Sequence, residues 1–130
     1  MEGIVEWISR LRDTDKCIIV EGRNDKRCLE WLGVKARIYL VNIPVFELVE
    51  EVSSSCKEVI ILTDLDKAGK SLYSELKRFL SEHGVLVDNY FREFLFKETA
   101  LSQMEGLRGF LDKERQKDKD LEKYLYGIGL

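Results

Sequence analysis

Two short acidic motifs hold the residues of this chain whose types and spacing suit chemistry. VEGRND supplies Glu21, Gly22 and Asp25, and LTDLDKAG supplies Asp64, Asp66 and Gly69. Each follows an uninterrupted apolar run, Cys17-Ile18-Ile19-Val20 in the first case and Val59-Ile60-Ile61-Leu62 in the second. Crowded carboxylates are costly: two unit charges about 4 Å apart repel by about 4 kcal/mol at an effective dielectric of about 20. A cluster of this kind calls for a cation, or for some of its acids to stay protonated. Oxygen ligands from carboxylates alone, without histidine or thiolate, select Mg²⁺ or Mn²⁺ over zinc. Mg²⁺ commonly takes only one or two carboxylates and keeps several waters, which leaves coordination positions for phosphate oxygens. The spacing of Asp64-Leu65-Asp66 lets an extended turn send both carboxylates toward one ion while Leu65 turns inward. Gly22 and Gly69 read as positions where a Cβ would crowd the ligand. The amides opening the helix near Lys67 are suited to donate to an anion.

These motifs need a frame that brings them to one edge. Both apolar runs read as strands buried on both faces, because they lack polar alternation. Residues 37–41 suit a further strand, and Val85 to Tyr90 another. Helical periodicity appears over residues 4–11, through Ile4, Val5, Ile8 and Leu11. It returns after the first motif, with Asn24 as a cap, Cys28, Leu29 and Leu32 as the apolar face and Gly33 as the stop. Pro44 opens a short helix to Val52 with Phe46, Val49 and Val52 inward, and Ser53-Ser54-Ser55 follows as a loop. A helix from about Lys67 to His83 buries Leu72, Leu76, Phe79 and Leu80 and ends at Gly84. Residues 98–111 suggest a last helix, carrying Leu101, Met104, Leu107 and Leu111, though Gly106 and Gly109 interrupt it. The charged run over residues 112–123 reads as a solvated helix or a frayed segment. This alternation predicts a three-layer α/β/α sandwich on a mainly parallel sheet of roughly four strands, Rossmann-like and with right-handed crossovers. Ligands of such folds bind beyond the carboxyl ends of the strands, where both motifs lie. The chain reads as one domain, residues 1–130, with its core over about 15–95 and helical extensions at either end.

In that order and spacing, IIVEGRNDKRCLEWLGV and VIILTDLDKAGKSLYSELKRFL resemble the two defining motifs of the Toprim domain. That domain is shared by type IA and type II topoisomerases, bacterial-type primases, OLD-type nucleases and a ribosomal-RNA maturation nuclease. The resemblance looks closest to small stand-alone Toprim proteins. It implies that Glu21 is a general acid/base and a metal ligand, that Asp64 and Asp66 hold Mg²⁺, and that Gly22 and Gly69 are the motif glycines. Asp25 matches the family's acid after EGxx and equally suits a helix-start acid favoured by the dipole. The chain departs from the larger family members. It has no second domain to carry a topoisomerase tyrosine, so Tyr39, Tyr73, Tyr90, Tyr124 and Tyr126 read as packing or surface residues. The zinc-binding and helicase-contacting regions of primases are also missing.

Arg23, Lys26, Lys67 and Lys70 stand near the acidic edge as phosphate contacts or as solvated surface cations, and Arg92 is a further candidate. His83, the lone histidine, reads as a helix-end charge. One histidine and no GxSxG give serine-type catalysis no support. A net charge of −3 argues against tight stand-alone duplex binding, which phosphate neutralisation drives. The three cysteines, Cys17, Cys28 and Cys56, are odd in number and lack CxxC spacing. They argue against a disulfide framework and a zinc site, and Cys17 and Cys28 read as small core residues. No apolar run reaches the roughly 20 residues that span a bilayer, and the N-terminus does not read as a signal peptide. A cytoplasmic location without membrane contact is the expectation. Three functions compete. The first is Mg²⁺-dependent phosphodiester chemistry on DNA or RNA, as a nuclease or processing enzyme with a protein partner supplying substrate grip; primase-like nucleotidyl transfer with a partner is an alternative to it. The second is a binding module that holds Mg²⁺ and nucleic acid, or a larger complex, without turnover. The third, a phosphoacceptor receiver, fits poorly, because receivers place paired acids after the first strand.

Overall fold

The apolar runs lie side by side. In the computed structural model, which describes residues 3–127, strands β1 (Cys17–Val20), β2 (Ile38–Leu40), β3 (Glu58–Leu62) and β4 (Leu86–Asp88) form one sheet in the order β2-β1-β3-β4. Every pairing is parallel, so each connection must cross a face of the sheet, and helices do so. Val20 stands opposite both Leu40 and Leu62. The chain therefore leaves β1 and β3 at the same level and on the same edge, with Glu21 and Thr63-Asp64 as the first residues out.

The helices divide between the two faces. Helices α1 (Ile4–Asp13), α2 (Arg23–Trp31), α5 (Tyr90–Glu98), α6 (Leu107–Lys117) and α7 (Lys119–Glu122) contribute to a core that takes Ile18, Val20, Ile60 and Leu62 from the sheet. Helices α3 (Val45–Ser55) and α4 (Lys67–Glu82) cover the other face, over Ile19, Tyr39, Val59 and Ile61. Alternate residues of β1 and β3 thus feed two cores, which is why their sequence shows continuous apolar character. This is the expected α/β/α sandwich on four parallel strands. Trp7 of α1, fully buried, packs on Phe91 and Phe94 and donates its indole N–H to the Phe91 carbonyl at 3.0 Å. No helix among the described residues is long and apolar enough to cross a membrane.

Several expectations fail for physical reasons. Ser53-Ser54-Ser55 is the last turn of α3 and not a loop. The Ser53 and Ser54 hydroxyls bond back to the carbonyls of Glu50 and Glu51, at 3.1 and 2.7 Å, which lets serine end a helix rather than break it. Phe46 is 63 % exposed because α3 turns Leu48, Val49 and Val52 inward instead. The strand expected to reach Tyr90 stops at Asp88, whose carboxylate accepts the Tyr90 N–H at 3.0 Å as α5 begins. The single helix expected over 98–111 is instead a break at Thr99–Gln103, a 3₁₀ turn at Met104–Gly106 and then α6. Cys17, the first residue of β1, and Cys56, two residues before β3, are joined as a disulfide, with their Cα atoms 6.3 Å apart, against the expectation of unpaired cysteines. The odd cysteine is Cys28, buried, its thiol pushed up to about 11 by burial.

Candidate metal and phosphodiester site

Glu21 begins where β1 ends, and its carboxylate crosses to β3, where Oε2 accepts the Asp64 N–H at 2.8 Å. Asp64 is held from two further sides. Its Oδ1 accepts the Met104 N–H at 2.9 Å, and its carbonyl accepts from Arg92 Nη2 at 2.9 Å. The Arg92 Nε also reaches the Thr63 carbonyl at 3.3 Å. Burial holds the Arg92 guanidinium below its usual pKa, and the side chain lies over the Tyr73 ring at 4.5 Å. Arg92 therefore braces the turn after β3 from below.

Asp66 and Asp25 serve helix starts. The Asp66 Oδ1 accepts the Gly69 N–H at 2.8 Å as the N-cap of α4. Asp25, buried, accepts the Gly22 N–H at 3.0 Å and so ties the start of α2. Gly22, and not Asn24, is the N-cap residue there. The reason for the two glycines also differs from expectation. A Cβ on Gly69 would stand 1.9 Å from the Asp64 carbonyl oxygen, so it is the Asp64 backbone that requires glycine. A Cβ on Gly22 would meet nothing within 4 Å. Leu65 turns inward as expected, and its N–H bonds to the Ser102 carbonyl at 2.7 Å.

Glu21, Asp25 and Asp64 line a cavity of about 330 Å³ together with Gly22, Arg23, Asn24, Gln103 and Glu105. Burial, more than any other cause, pushes the Glu21 carboxyl up to about 7. A side-chain hydrogen bond with Asp64 and the charges of Asp64 and Asp66 push the same way, while the Asp64 N–H opposes them. Burial also raises Asp25, with the charges of Asp64 and Glu105 adding to it. Burial and neighbouring carboxylates thus both favour the neutral form of these acids. Among the described residues, no group of three or more histidine, cysteine, aspartate or glutamate side chains is gathered tightly enough to hold a metal ion. Glu21 and Asp64 form a close pair, and Asp66, the cap of α4, is near enough for Glu21 to feel its charge. Two carboxylates with open space beside them fit a Mg²⁺ ion that keeps much of its water.

Of the basic candidates, Arg23 lines the acidic cavity, whereas Lys70 and Arg92 line a separate groove between α4 and α5. Lys67 is exposed at the start of α4 and Lys26 is half-buried on α2. Gln103, Met104 and Glu105 at the site were missed in the sequence. The two glycines that break the helical pattern after residue 105 were the only signal of irregular backbone there.

Comparison with known proteins agrees with this geometry. A family model described as "Toprim domain" matches residues 16–94. A UPF0292 protein from Pyrococcus abyssi is 42 % identical over 101 residues, which is 77 % of this chain and 75 % of that protein. A second, from Thermoplasma volcanium, is 34 % identical over 84 % of this chain and 93 % of its own length. A solved structure of a protein from Aquifex aeolicus superposes with a TM-score of 0.73 at 34 % identity, covering 81 % of this chain and 98 % of that one. The chain belongs to the Toprim family, which ties it to a metal-dependent, nucleic-acid-related role.

Proposed function

We propose that this protein cleaves or processes DNA or RNA phosphodiester bonds with Mg²⁺, or Mn²⁺, held by Glu21 and Asp64. The observation that carries the reading is the reach of Glu21 from β1 to the Asp64 N–H at the end of β3, across 43 residues of sequence. That contact sets two carboxylates from separate strands beside one open cavity. A divalent cation bound there would neutralise phosphate charge and orient the scissile group. The protein's own part is positioning. Arg92 and Met104 fix the Asp64 carbonyl and carboxylate, so that this side chain need not be ordered when substrate arrives. Glu21 stands at the cavity wall, where it can exchange a proton with the attacking or leaving oxygen. Arg23, at the rim of the same cavity, is suited to meet a phosphate oxygen. Asp66 contributes charge to the site and holds the start of α4. Lys26 and Lys67 remain candidates for phosphate contact along the approach, and a protein partner could add substrate grip.

The test is a panel of labelled single- and double-stranded DNA and RNA, incubated with Mg²⁺ or Mn²⁺. The native chain should cut at least one class, and Glu21→Gln and Asp64→Asn should each abolish cutting. Cleavage that persists in excess EDTA would refute the reading. Metal-dependent binding to the panel with no cleavage of any member would favour the binding-module alternative.

A further inference from the structure

The groove between α4 and α5 gathers cations and aromatic rings on an otherwise acidic chain. It holds about 400 Å³ and is lined by Lys70, Tyr73 and Ser74 from α4 and by Arg92, Phe96 and Lys97 from α5, with Glu93 beside them. The spacing explains the shared wall: Lys70, Tyr73 and Ser74 fall on one face of α4, and Arg92 and Phe96 are one helical turn apart on α5. Phe96 is 50 % exposed, unusual for so large an apolar side chain, and Lys70 Nζ stands 4.6 Å from its ring. Tyr73 carries the Arg92 guanidinium at 4.5 Å. Three cations therefore share the groove with two aromatic rings, and the one acid, Glu93, is engaged by Asn89 at 3.2 Å. An occupant must offer a flat π-face and negative charge together. A nucleobase on its phosphate backbone has both, whereas an apolar peptide would offer nothing to the charges of Lys70 and Lys97.

The groove also connects to the chemistry. Arg92, in its wall, bonds the carbonyl of Asp64, whose carboxylate lines the acidic cavity. We propose that this groove is a stacking subsite for an unpaired base of the substrate, with Phe96 as the platform and Lys70 and Lys97 on the adjoining phosphates. This names the substrate class for the phosphodiester reading above and rests on it. Bases within a duplex are stacked on one another and cannot lie on Phe96, so the subsite selects single-stranded or looped segments.

The test is fluorescence anisotropy of short labelled oligonucleotides in EDTA, where cleavage cannot interfere. The native chain should bind a single strand more tightly than the matching duplex. Phe96→Ala should weaken single-strand binding by about tenfold, the order expected for one base–aromatic stack. Phe96→Tyr should retain it, and a strand carrying abasic residues should be bound equally weakly by native and Phe96→Ala chains. Phe96 is half-exposed, so these variants should keep their fold, which unchanged thermal melting verifies. Equal affinity of native and Phe96→Ala chains for the single strand overturns the proposal, as does equal native affinity for strand and duplex. The two readings fail separately. Cleavage that requires Glu21 but is indifferent to Phe96→Ala removes the subsite and leaves the phosphodiester reading standing. Loss of affinity in Phe96→Ala, with no cleavage in Mg²⁺ or Mn²⁺, does the reverse.

Discussion

Glu21 carries the clearest conflict between stability and function in this chain. Burial and the neighbouring Asp64 raise its carboxyl from an ordinary 4.5 to about 7. Because the folded value lies above the unfolded one, its contribution to metal-free stability is fully present below about pH 4.5 and is lost as pH rises through about 7. Glu21→Gln keeps an oxygen to accept the Asp64 N–H and removes the charge. In EDTA, urea denaturation across that pH window should show a decline for the native chain that is smaller in Glu21→Gln. Above pH 7 the variant should be at least as stable as the native protein. Identical pH dependence in the two would show that the acid pair is not strained. Gly69 tests the backbone side of the same site. Any side chain there meets the Asp64 carbonyl, and backbone can yield only by moving the motif. Gly69→Ala should cost about 2–4 kcal/mol by chemical denaturation and disturb the metal site with it. A neutral result would mean that the turn after β3 is freer than its packing indicates.

Sequence pattern revealed some elements and hid others for identifiable reasons. Cys17–Val20 and Glu58–Leu62 were readable because strands covered on both faces need unbroken apolar character. Helix α4 was readable because its buried Leu76 and Leu80 lie on one stripe. Helix α5 was not, since Tyr90 and Phe91 suit a strand as well as a helix and only the Asp88 bond to the Tyr90 N–H marks its start. The stretch at 99–106 carries apolar residues at helical spacing, yet its backbone is committed elsewhere, to Asp64 through Met104 and to Leu65 through Ser102. Such long-range bonds leave no periodic trace. The acids of both motifs were legible, but the bonds they make were not: Asp66 and Asp25 accept helix-start amides, while Glu21 accepts the Asp64 N–H.

The disulfide was hidden for a related reason. Cys17 and Cys56 are 39 residues apart and meet only because β1 and β3 are neighbours in the sheet. Closing a loop of that length stabilises the folded chain by about 2–4 kcal/mol through the unfolded state. Cys56→Ser should lower the denaturation midpoint accordingly, and a reductant should lower the native midpoint to the same level while leaving the variant unchanged. Equal stability of the native chain with and without reductant would contradict a contribution from this link.

Across the whole molecule, one sheet edge sets an acidic cavity beside a cationic, aromatic groove, joined through Asp64 and Arg92. The net charge of −3 averages over this division and does not reveal it. Such an arrangement suits a ligand that brings phosphates to a metal and bases to a ring, and it does not need the uniformly basic surface of a duplex binder. The reading depends on Glu21 and Asp64 holding a cation jointly. Mn²⁺ titration of the intact chain, followed by electron paramagnetic resonance of the free ion, addresses this directly. The native protein should take up one Mn²⁺ at a saturable site that Mg²⁺ displaces, and both Glu21→Gln and Asp64→Asn should lose it. No saturable uptake by the native chain, or uptake unchanged in the two variants, would contradict the assignment of this pair as the metal site.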